Sequence, residues 1–98
     1  MKSVIVAGHI ALDIRPLMDH LPRGSFKTLF QPGRLISVGP ASFYTGGLVS
    51  NTGLALNRLG IQTRLVAKIG MDRFGEILCD LIQRHDPLLV EGIISDPM

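Results

Sequence analysis

Asp13, the pair Gly46-Gly47 and Asn51 are the residues of this sequence whose types and positions suit a polyhydroxylated small molecule. An ionised carboxylate accepts hydrogen bonds from neighbouring hydroxyls, and an amide side chain both donates and accepts. Adjacent glycines let the backbone approach a ligand where a side chain would collide. Such a set binds and orients. Each member also has a plainer reading. An Asp after a strand is commonly a turn or cap residue, a Gly-Gly before a helix a tight turn, and an Asn in a first helical turn a partner for backbone. His20 and His85 have no partners at catalytic or metal spacing and read as surface residues. His9 lies near the same strand end as Asp13 and reads as a packed structural histidine. Gly8 is not followed by the glycines of a dinucleotide fingerprint, and no glycine-rich loop ends in Lys-Ser or Lys-Thr, so both nucleotide motifs lack their defining residues.

Those residues need elements to hold them. Val4–Ala7 is an unbroken apolar run ending at Gly8, the pattern of a parallel strand buried on both faces. From Ile14 to Pro40 turn signals recur at Pro16, Pro22-Arg23-Gly24, Pro32-Gly33 and Gly39-Pro40, which predicts loops and short, partly exposed strands. Arg15, Arg23, Lys27 and Arg34 in this stretch read as a solvated surface rather than an anion site. Val49, Ala55, Leu56 and Leu59 recur at helical spacing, with Gly60 placed for a left-handed cap. Gly53 inside that helix marks either close packing or an irregular first turn. Gln62–Ile69 reads as a strand. Asp72 caps a second helix with a stripe of Phe74, Ile77, Leu78, Leu81 and Ile82, ending before Pro87. Leu88–Ile94 reads as a last short strand. This order predicts an α/β unit with a mostly parallel sheet, and ligands in such sheets collect beyond the carboxyl ends of the strands.

Composition narrows the class. The chain has 98 residues, 46% of them hydrophobic, enough for one modest core or part of a larger one. Ten basic and eight acidic residues are mixed along it for a net charge of +2, so there is no basic patch that calls for nucleic acid. The opening apolar run is too short for a signal peptide or a membrane span. Cys79, the single cysteine, can form no internal disulfide. These features predict a cytoplasmic protein with no membrane partner.

Gly46, Gly47, Asn51, Gly60 and Gly70 also resemble, in order and spacing, the first signature of the PfkB family of carbohydrate kinases, the ribokinase-like phosphotransferases. Val49 departs from the family's Gly, Ala or Pro, and Gly53 from its Ser, Thr or Ala. Neither change removes a hydrogen-bonding group. Val6-Ala7-Gly8 followed by Asp13 is similar to the family's opening, and Gly70-Met71-Asp72-Arg73-Phe74-Gly75 to its Gly-x-Asp-x-x-Gly turn into a helix. The resemblance implies a ribokinase-like fold of which residues 1–98 are the truncated, N-terminal part of a single domain. It also implies lid strands within residues 14–44 that cover the sugar and, in some members, pair two subunits as a homodimer. Asp13, Gly46, Gly47 and Asn51 would hold a sugar or nucleoside acceptor. Leu48 stands where ribokinase has Lys and Ala11 where it has Asn, so ribose itself is not implied. ATP and Mg²⁺ are implied for a full-length parent. The family's second signature, Gly-Ala-Gly-Asp, brings the anion hole and the proton acceptor, and it is not in this sequence. By that reading the chain has no catalytic, cofactor-binding or metal-binding residue of its own and is inactive alone. A non-catalytic sugar-binding or dimerisation module is the alternative, and a dinucleotide-dependent enzyme a weaker one.

Overall fold

The apolar run at the start forms strand β1 (Ser3–Ala7), and the contiguous Leu65-Val66-Ala67 lies within a longer strand, β4 (Gln62–Gly70). Between them come β2 (Ala11–Pro16), a short helix α1 (Phe26–Leu29), β3 (Ala41–Gly46) and helix α2 (Gly47–Arg58). Helix α3 (Arg73–His85), a 3₁₀ helix (Pro87–Gly92) and β5 (Ile93–Asp96) follow β4. This computed structural model describes residues 2–21 and 26–97. The turn expected at Pro22-Arg23-Gly24, with the surface charge of Arg23, lies outside the described residues.

β1, β4 and β5 form a parallel sheet in the order β1-β4-β5, with Val6 opposite Leu65 and Ala67 opposite Ile93. β2 and β3 form a separate antiparallel ribbon, Asp13 opposite Tyr44 and Ala11 opposite Gly46. The mostly parallel sheet with flanking helices is therefore present, and the excursion between β1 and α2 is built around a ribbon whose strands extend beyond the interval 14–44 at both ends.

α2 starts at Gly47, two residues earlier than the apolar spacing predicts, and stops where expected. Gly60 takes φ +82°, its N–H donates to the Asn57 carbonyl at 3.0 Å, and the Ile61 N–H donates to the Leu56 carbonyl at 3.1 Å. These paired bonds close the helix with a left-handed glycine. Gly53 is a close-packing glycine, since a Cβ there would land on the Leu65 side chain. In α3, Asp72 Oδ1 accepts from the Gly75 N–H at 2.9 Å. Gly75 can carry no side chain because a Cβ would land on the Gly70 carbonyl oxygen. The Gly-x-Asp-x-x-Gly spacing thus has a steric cause: cap, close approach and helix start in one turn.

The expected strand at Leu88–Ile94 is displaced. Pro87 begins a 3₁₀ turn that Asp86 caps through Oδ1, accepting from the Leu88 N–H at 3.0 Å, and the strand forms only from Ile93. A capping Asp before Pro pre-sets a helical turn, which outweighed the apolar run.

Val6, Leu65, Ala67 and Ile69 of the sheet meet Val49 and Leu54 of α2, Leu78 and Ile82 of α3, and Leu89 in one core. The opposite sheet face is open, with Ile5 64% and Ile94 54% exposed. From Lys27 to Tyr44 no residue is buried. The accessible surface, 7268 Å², compares with about 5,500 Å² for a compact protein of this mass. The Cα radius of gyration, 17.0 Å, compares with about 13 Å. One covered sheet face and a projecting ribbon account for both differences.

Candidate functional site

β1 is followed by Gly8, which takes φ +143° and donates its N–H to the Val66 carbonyl at 3.1 Å. The chain then leaves the sheet through His9 and Ile10 into β2. Because β3 pairs antiparallel with β2, it returns to the point of departure, bringing Gly46 opposite Ala11. α2 begins there. Gly47 turns the corner with φ +81°, and the Val49 N–H donates to the His9 carbonyl at 2.9 Å. The end of the first strand and the start of the helix are thereby tied together beyond the carboxyl end of the sheet.

This corner is close-packed around the glycine pair. A Cβ at Gly46 would stand 2.7 Å from Asp13 Oδ1 and 2.8 Å from Oδ2. One at Gly47 would stand 2.8 Å from His9 Nδ1 and 3.0 Å from the His9 carbonyl oxygen. The pair is thus needed for close approach of Asp13 and His9, and Gly47 also for its positive φ. His9 is exposed rather than packed, so the expectation of a buried structural histidine is corrected. Its carbonyl is spent on the helix, and its ring lies over Gly47.

Ser50 was not singled out by sequence, yet it is the one buried polar side chain among the described residues. Its hydroxyl donates to the Gly46 carbonyl at 2.6 Å. The signal was available: a Ser four residues after a helix-starting Gly can bond back to that carbonyl. Ser50 fixes the peptide that follows Gly46 and so the position of Gly47.

The Asp13 side chain is 44% exposed, with Arg15 Nη2 3.8 Å from its Oδ2. Arg15 in turn lies over the Tyr44 ring, 4.4 Å from its centroid. The carboxylate keeps open acceptor positions towards solvent. Asn51 is exposed one helical turn beyond Gly47. It lines a hollow of about 290 Å³ together with Tyr44 and Arg15, a hollow to which Asp13, Gly46 and Gly47 do not contribute. The structure therefore brings Asp13 and the two glycines together and sets Asn51 in the adjoining cavity, with Arg15 touching both.

His20 and His85 are exposed, and His20 Nε2 lies 3.0 Å from the Ser37 carbonyl oxygen. No group of three His, Cys, Asp or Glu among the described residues could hold a metal ion. No described helix is long and apolar enough to cross a membrane. Cys79 is a free thiol whose pKa is raised from 9.0, first by burial and then by the nearby Asp80 carboxylate.

Ribokinase of Thermotoga maritima superposes on 96% of this chain with a TM-score of 0.69 at 23% identity. The fold is ribokinase-like. The ATP-bound fructokinase of Xylella fastidiosa matches this ribokinase-like chain over 99% of its length, with a TM-score of 0.69 and 21% identity. An uncharacterized sugar kinase of Pyrococcus horikoshii, solved with ATP, matches 96% of the chain with a TM-score of 0.61 and 24% identity. In direct sequence comparison the same Pyrococcus protein is 32% identical over 53 residues, which are 54% of this chain and 17% of that protein. No protein-family model matches. The ribokinase-like chain spans 28% of the Thermotoga ribokinase and 26% of the Xylella fructokinase.

Proposed function

We propose that this chain is the acceptor-binding, N-terminal part of an ATP-dependent carbohydrate or nucleoside kinase, one that passes the γ-phosphoryl of ATP to a sugar hydroxyl. The observation that carries the reading is the closure of the Asp13 carboxylate on Gly46 at the strand-to-helix corner. Solved kinases of the same fold, two of them with ATP, support it.

On this reading Asp13 accepts hydrogen bonds from neighbouring hydroxyls of the acceptor through its solvent-facing lone pairs, and the Asn51 amide meets the acceptor from the helix side. Gly46 and Gly47 permit the approach, held in place by Ser50 and by the His9 carbonyl. These residues bind and orient. ATP supplies the phosphoryl group and Mg²⁺ its charge neutralisation in a longer parent. The described residues offer no carboxylate cluster for Mg²⁺ and no glycine-rich phosphate loop. On this reading the chain alone is inactive in transfer, and it works in the cytoplasm. The β2–β3 ribbon is the lid over the acceptor, and its exposed Ile14 and Phe43 pair two copies.

Titration of the chain with a panel of sugars and nucleosides, followed by NMR, tests the reading. At least one binds, Asp13→Asn weakens it about tenfold, and Leu88→Ala, on an exposed residue of the 3₁₀ helix, leaves it unchanged. Equal binding by the chain and its Asp13→Asn variant refutes the assignment. ATP-dependent phosphorylation by the 98 residues refutes the inactivity.

A further inference from the structure

The hollow beside the acceptor corner has a composition that a neutral acceptor would not use. Its floor includes the buried Leu54, while its rim includes Arg15 from β2, Arg58 from the last turn of α2 and His85 from the last turn of α3. Tyr44 and Asn51 add a hydroxyl and an amide. Two arginines and a histidine therefore line one space of about 290 Å³ from three separate elements. The Asp13 carboxylate lies 3.8 Å from Arg15 outside that space. Arg58 forms no ion pair with any described carboxylate. Arginine presents a planar fork of donors matched to phosphate or carboxylate oxygens. Held over the Tyr44 ring, the Arg15 guanidinium is already oriented.

We infer that this hollow binds an anionic group carried by the acceptor itself, a phosphate or carboxylate, while Asp13 and the glycine pair hold the acceptor's hydroxyls. The inference rests on the acceptor-binding reading above and deepens it: the substrate class becomes a sugar phosphate or sugar acid. Arg15 is the joint between the two halves of the site, touching Asp13 on one side and lining the hollow on the other. This places Arg15 at an anion site, where its charge alone read as solvated surface.

Calorimetric titration of the chain with ribose, ribose 5-phosphate, gluconate and inorganic phosphate separates the outcomes. The expected result is that at least one of ribose 5-phosphate and gluconate binds about tenfold or more tightly than ribose, the worth of one arginine–anion contact. Arg58→Ala removes that difference and leaves ribose binding unchanged. Asp13→Asn weakens both the neutral and the anionic sugar. Equal affinity for neutral and anionic sugars, sensitive to Asp13→Asn and not to Arg58→Ala, overturns the anionic class and leaves the acceptor reading standing. Inorganic phosphate binding through Arg58, with no gain from an attached sugar, overturns the link to the acceptor. Binding of none of the four overturns this inference. The broader sugar and nucleoside panel then decides the acceptor reading separately.

Discussion

Replacing Gly46 by Ala separates the stability of the strand-to-helix corner from its binding. Gly46 has φ −138° and ψ −175°, an extended geometry that alanine adopts without strain. The new methyl would instead meet both Asp13 carboxylate oxygens, at 2.7 and 2.8 Å. Comfortable contact requires a retreat of roughly 0.7 Å or more. The Asp13 side chain is 44% exposed and can swing outwards. Its off-rotamer cost is about 0.5–1.5 kcal/mol, and exchanging Gly for Ala at a helix N-cap adds about 0.5 kcal/mol. A stability loss of about 1–2 kcal/mol follows, small enough to leave the chain folded. Binding suffers more, because a displaced carboxylate forfeits a charged hydrogen bond to the acceptor, about 1.5–3 kcal/mol or roughly ten- to a hundred-fold in affinity. Urea denaturation reads the first quantity and NMR titration with the tightest acceptor the second. Gly46→Ala and Asp13→Asn act on one carboxylate, so their effects on affinity fall well short of additive. Unchanged acceptor affinity in Gly46→Ala, or full additivity with Asp13→Asn, refutes the argument that the glycine exists to admit Asp13.

Gly75→Ala drives a methyl into the Gly70 carbonyl oxygen, and both partners are backbone. We expect it to destabilise by about 1–3 kcal/mol through overpacking, more than Asp72→Ala, which loses only the cap to the Gly75 N–H at about 1 kcal/mol; urea midpoints rank the two. Cys79 has a pKa raised by burial and by Asp80, so the folded chain holds less thiolate at pH 8 than the unfolded chain. Iodoacetamide should alkylate it several-fold more slowly in buffer than in urea. The linkage has the corresponding sign: above pH 9 the unfolded thiol ionises first, so stability falls as pH rises, and equal alkylation rates in both states would contradict this.

Where side-chain period and backbone chemistry agreed, the sequence was readable. Helix α3, the Asp72 cap and the left-handed Gly60 lie where pattern placed them, although of the stripe only Leu78 and Ile82 are buried and Phe74 at its start is exposed. Asp13 and the glycine pair sit at one strand end, as their order along an α/β chain suggested. Three features were harder to see. β2 and β3 pair across a stretch of more than twenty intervening residues, and nothing local in Ala11–Pro16 announces a partner at Ala41–Gly46. The last apolar run was drawn into a 3₁₀ turn by Asp86 and Pro87 before it could pair. The cationic lining is invisible in sequence because Arg15, Arg58 and His85 come to one hollow only when three elements pack.

The ribbon leaves the base at the corner where the Val49 N–H is bonded to the His9 carbonyl and Gly47 turns, and it also rests on α3, where Ser42 and Phe43 line a hollow with Ile77, Leu81 and Arg84. Asp13, Arg15 and Tyr44 are on that arm, while Asn51 and Arg58 are on the helix of the base. A ligand that touches both Asp13 and Asn51 therefore acts as a strut between arm and base, and part of its affinity goes into holding the angle between them. Ligands too short to reach both would bind the same residues without stiffening the arm, so amide exchange along β2 and β3 would report ligand length as well as occupancy.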